Sequence, residues 1–157
     1  MTTTWRHLPA PAREIAVAAT DAVTAAQGRD VEAYDLATAR LAAAERSGLV
    51  LGAVVRSLLE VGHPDGLAGD DVRAVLERCV RGAATWRADV DPQVLLVLLA
   101  GALGLYDPEA DEAPPAPEAY ARHAPLLVAH LLAATGATLD AHLAAAFTDI
   151  QRAELHD

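Results

Sequence analysis

Apolar positions recur along this chain with a helical period almost from end to end. After Pro11, residues Ile15, Ala18, Ala19, Ala22, Val23 and Ala26 fall on one face, and Gly28 is placed to end the run as a C-terminal cap. Asp30 is a good N-cap for a second helix, whose inner stripe is Val31, Tyr34, Ala37, Leu41 and Ala44. Its wet side is Glu32, Asp35, Arg40, Glu45 and Arg46, and Ser47-Gly48 breaks it. A third helix is predicted from about Leu49 to Val61, followed by the turn-forming run Gly62-His63-Pro64-Asp65-Gly66.

The second half of the chain is more apolar. Gly69 or Asp70 opens a fourth helix with Val72, Val75, Leu76, Cys79, Val80 and Ala83 facing inward, and it is predicted to end near Arg87-Ala88. Asp91-Pro92 is a strong start signal for a fifth, because Asp caps and Pro suits the first helical position. That helix, near 92–105, is apolar all round, so it is expected at the centre of the fold or in a subunit interface. Gly101 and Gly104 within it suggest a packing reason, since each Gly costs roughly 1 kcal/mol of helix stability against Ala. Residues 107–117 form an acidic, Pro-rich loop, and a sixth helix from about Glu118 is expected to be kinked or split by Pro125. Gly136 ends it, and Thr138 caps a last helix bearing Leu139, Leu143, Ala146, Phe147 and Ile150.

The pattern predicts an all-α protein: a compact, irregular bundle of about six to seven helices in a single domain over 1–157. Composition agrees, with Ala and Leu abundant and aromatic residues at 4%. The second and third helices, Asp30–Glu45 and Leu49–Val61, resemble a helical-hairpin repeat unit only loosely, through Tyr34, Leu36, Ala37 and Ala44, and one hairpin does not make an array.

Charge narrows the partners. The formal net charge is −10, all fixed positive charge is Arg, and Lys and Asn are absent. Such a chain repels nucleic-acid backbones and anionic lipid surfaces, so neither nucleic acid nor membrane is expected as a partner. The run from Val94 to Tyr106 falls short of the roughly 20 residues a spanning helix needs, and the N-terminus lacks a secretory pattern, so a cytoplasmic location is expected.

Most reaction chemistries lack their residues. The phosphate-binding loop needs a Lys. Ser47 and Ser57, the only serines, sit at a helix break and mid-helix, with no His nearby in sequence and no strand–turn–helix setting. The sole cysteine, Cys79, lies on an apolar stripe and reads as a small buried hydrophobe. His123, His130 and His142 are weak candidates for a metal site between helices, because their spacing does not match ligand pairs three or four residues apart. Asp107, Glu109, Asp111 and Glu118 partly mimic a calcium loop, but Glu112 stands where the sharp turn requires Gly. No cofactor is expected.

The reading that remains is a non-catalytic interaction, assembly or regulatory module. A homodimer is expected by base rate, with Leu95, Leu98, Leu99 and Leu103, or Leu127 and Leu131, at its interface. The alternative is a small-molecule-binding helical domain or an uncommon enzyme, with Trp86, Cys79, Tyr106 and His130 around an apolar pocket.

Overall fold

The structure is a computed structural model that describes residues 5–87, 89–104 and 116–155. Among the described residues there are seven helices and no strand: α1 (Ala10–Gln27), α2 (Val31–Ala43), α3 (Ser47–Gly62), α4 (Gly69–Ala84), α5 (Pro92–Ala102), α6 (Pro117–Thr135) and α7 (Leu139–Leu155).

Local signals set most of the boundaries. The Asp30 carboxylate accepts the Ala33 N–H at 3.1 Å, and the Asp91 carboxylate accepts the Gln93 N–H at 2.9 Å, each satisfying a donor that the first turn leaves open. Asp71 reaches back to the Ala68 N–H at 2.9 Å in the same way. Gly136 closes α6 in the left-handed region, its N–H on the Leu132 carbonyl.

Several boundaries differ from expectation. α4 stops at Ala84, short of the expected end near Arg87-Ala88, and α5 stops at Ala102, which leaves Gly104 beyond the helix at φ 74°. Gly28 stays right-handed, and the left-handed position falls one residue later, on Arg29 at φ 56°. The carbonyls decide this: Asp30 N–H bonds Ala25 and Arg29 N–H bonds Ala26, a Schellman pair that needs its left-handed residue at 29. Ser47 belongs to α3 instead of breaking the chain, and its hydroxyl donates to the Leu41 carbonyl at 2.7 Å, stitching the α2–α3 corner.

Pro125 does not split α6, which runs unbroken for 19 residues. A proline removes an N–H from the ladder and loosens the carbonyls of the preceding turn. The carbonyl left open by Pro125 is that of Ala121, and the Tyr34 hydroxyl of α2 donates to the next one, the Arg122 carbonyl, so this turn is anchored from outside the helix.

One apolar core joins all seven helices. Its middle is α6, which packs against α1, α2, α3, α4 and α5. The fifth helix is not the central one: it packs chiefly on α3, α4 and α6, and Leu96 is 39% exposed. The nineteen residues of α6 also offer more face for neighbours than the eleven of α5. No single helix among the described residues is long and apolar enough to cross a membrane; α6 and α7 pass that test only as a pair, bent by 120°.

Candidate functional site

Packing a short α5 beside longer α3 and α6 leaves a trough between them. It is an open groove of about 1140 Å³. The α3 face that lines it includes Leu49, Gly52, Ala53, Arg56, Ser57 and Glu60; α5 adds Val97, Leu98, Gly101 and Ala102. The first turns of α6 add Pro117, Tyr120, Ala121 and Ala124, and Asp149 comes from α7. Small residues keep the floor low. A Cβ built on Gly52 or Gly101 meets nothing within 4 Å, so neither glycine is there to let this chain's own helices approach. Leu49, 56% exposed, stands on the wall as unburied apolar surface.

At the far end of this face, the Ser57 hydroxyl and Nδ1 of His142 are 2.6 Å apart. Both groups are half-buried. A Ser–His contact is the first element of a nucleophile–base pair. Here Ser57 lies in mid-helix, where backbone N–H groups are committed to the ladder, so α3 offers no free donors for a developing oxyanion. Sequence reasoning missed this pair because the two residues are 85 positions apart and meet only when α7 packs on α3.

A second, polar hollow of about 550 Å³ lies between α2 and the start of α6, lined by Asp35, Thr38, Asp89, Glu118 and Arg122 among others. Beside it sits the most enclosed cation of the described residues. The Arg87 side chain is 5% exposed, its guanidinium 4.7 Å from the Tyr34 ring centre and 5.4 Å from that of Trp86. It donates to both oxygens of Asp89, at 2.9 and 3.0 Å, and to Asp35 at 3.4 Å. Burial opposes the charged form of Asp89, but the Arg87 hydrogen bonds and charge outweigh it and hold that carboxyl below its usual range. Burial pushes the Tyr34 phenol well up, so it stays a protonated donor to Arg122. Nη1 of Arg87 is buried without a partner among the described residues. Every other feature of this cluster is mutual satisfaction between its own residues, which marks it as a strut between the end of α4 and α2.

The residues singled out from sequence do not converge on one pocket. Trp86 packs edge-on against Tyr34, ring centres 5.4 Å apart, within the Arg87 cluster. Cys79 is buried in α4, and burial pushes its thiol up to about 12, away from thiolate chemistry. His130 is half-buried in α6, and burial together with Arg78 lowers its pKa. Tyr106 lies outside the described residues, as do Asp107, Glu109 and Asp111 of the acidic loop. Glu118 is exposed in the first turn of α6.

The expected interface leucines are spent inside the chain. Leu95, Leu99, Leu127 and Leu131 are buried in the core, and a dimer formed through them would have to open the bundle. Leu98 is buried against the groove floor and Leu103 is partly buried. The histidines are also separated in role. His123 accepts the Asp91 N–H on Nε2 at 2.9 Å and donates from Nδ1 to the Ala119 carbonyl at 2.8 Å, so both nitrogens are occupied. His142 faces Ser57. Among the described residues no group of three His, Cys, Asp or Glu could hold a metal ion.

In the groove, α3, α5 and α6 present apolar surface to something other than each other. Comparison adds no relative to this picture: no protein-family model, no curated protein and no solved structure matches the chain.

Proposed function

We propose that this chain is an interaction module whose α3/α5/α6 groove seats an apolar helical segment of a partner protein. The observation that carries the reading is the groove itself. At about 1140 Å³ it exceeds the roughly 300–1,000 Å³ of ordinary small-molecule pockets. From Gly48 to Glu60 its α3 wall runs about 18 Å at 1.5 Å per residue. A trough walled by helices and floored by Gly and Ala suits another helix, which packs ridges into grooves and needs close backbone approach.

The test uses an amphipathic Leu/Ala peptide as probe and amide chemical shifts of the labelled protein as readout. Perturbation confined to Gly52, Ala53, Gly101 and their neighbours is expected. Filling the groove with Gly52→Leu and Gly101→Leu should remove it while leaving the helical circular dichroism unchanged. Binding that survives in the filled variant would sink the reading.

A second reading, acyl transfer by Ser57 with His142 as base, is favoured by their 2.6 Å contact alone. Covalent labelling of Ser57 by a fluorophosphonate, lost in His142→Gln, would establish it. Absence of labelling leaves the pair as a pin between helices.

A further inference from the structure

The charges around the groove narrow the partner's chemistry, on the reading that a helical segment sits there. Both guanidinium groups on its wall are already matched. Arg46 pairs with Glu154 of α7, and Arg56 pairs with Glu60 one turn away at 3.3 Å. Glu45 and Asp149 also line the groove, and among the described residues neither makes an ion pair.

The two unmatched carboxylates lie toward one end. His142 of α7 meets Ser57 and Glu154 meets Arg46, so α7 runs antiparallel along α3. Asp149 falls between those contacts, nearer in sequence to Glu154, and Glu45 adjoins Arg46. The Ser47 end of the groove therefore carries two lining carboxylates that make no ion pair among the described residues, beside an apolar floor, while at the Glu60 end Arg56 and Glu60 pair with each other.

We infer that the occupant is an amphipathic helix of another protein whose apolar stripe ends in basic residues, which meet Glu45 and Asp149. Lys or Arg there completes the pairing that the chain leaves open, and positive charge is also favoured at the C-terminal end of a helix. The net charge of −10 steers a basic partner toward the chain and repels a second copy of it.

Three peptides of about 18 residues, long enough to run the groove, test this. They share one Leu/Ala stripe and carry Arg, Gln or Glu at the two last outward positions. Amide shifts locate each, and titrations at about 0.05 and about 0.3 M salt give affinities on either side of strong screening. The Arg peptide should bind in the groove about tenfold more tightly than the Gln peptide at low salt, as two exposed pairs allow. The advantage should shrink at high salt and vanish in the Glu45→Gln, Asp149→Asn variant, which changes two exposed side chains. Equal groove binding by all three peptides overturns the charge inference and leaves the groove reading standing. No groove shifts with any peptide overturns both. Arg-peptide shifts centred on Asp35 and Asp89 instead reduce the effect to general acidity and overturn the inference. So do groove shifts that grow with protein concentration alone, which would make a second copy the occupant.

Discussion

Ser57 and His142 touch at 2.6 Å across 85 positions of sequence, and their contact ties α3 to α7. A net hydrogen bond of this kind contributes about 0.5–1.5 kcal/mol. Ser57→Ala should therefore lower the free energy of unfolding by about 1 kcal/mol, with an unchanged urea m-value, in equilibrium denaturation. A loss under a few tenths would mean that water replaces the contact.

Glycine substitutions separate open positions from conformational ones. Gly52 and Gly101 lie in helices with free space around a new Cβ, so Ala at either should stabilise by about 0.5–1 kcal/mol. Gly104 and Gly136 sit at φ 74° and 72°, so Ala at either should destabilise. Arg29, an L-residue at φ 56°, is the mirror case, and Arg29→Gly should stabilise by up to about 1 kcal/mol. Thermal unfolding of the five variants checks the signs, and destabilisation by Gly101→Ala would contradict the open groove floor.

Arg87 holds the end of α4 to α2 through Asp35, Asp89 and the rings of Tyr34 and Trp86. Arg87→Ala loses the stacking and the packing of the stem, an expected cost of about 1–3 kcal/mol. Arg87→Lys should recover only part of it, because an ammonium cannot span both Asp89 oxygens while lying across two rings. Full recovery by Lys in urea titrations would show that charge alone matters.

Acid sensitivity should trace in part to His130, whose pKa is lowered by burial and by Arg78. The unfolded chain takes up a proton near the ordinary value of about 6.5, before the folded chain does. Stability from the neutral ring is thus complete above that pH and falls as pH drops toward the folded value. His130→Gln should flatten the stability–pH curve between about pH 7 and 5. Asp89, also held low, loses its contribution only at more acid pH, as pH falls through its depressed folded value.

What could be read along the chain was what neighbours within one helical turn decide. Asp30 and Asp91 capped the helices expected of them, because a carboxylate two or three residues before an open N–H acts locally. Cys79 was buried as its place on an apolar stripe of helical period implied. The left-handed residue moved from Gly28 to Arg29 because carbonyl pairing at the helix end outweighed residue preference.

The candidate site was not legible in this way. The all-apolar α5 suggested a centre, yet position depends on length and on which stripes meet, and Ala/Leu stripes are interchangeable partners. The sequence by itself determined an acidic, all-helical chain and most of its helix starts, through period, caps and propensities that act over a few residues. Only the tertiary structure decided that α6 takes the middle, that Leu95, Leu99, Leu127 and Leu131 are consumed by the core, and that Ser57 meets His142. It alone placed Gly52 and Gly101 on the floor of one groove. Those outcomes rest on contacts between residues far apart in the chain, selected by the packing of whole helices against one another.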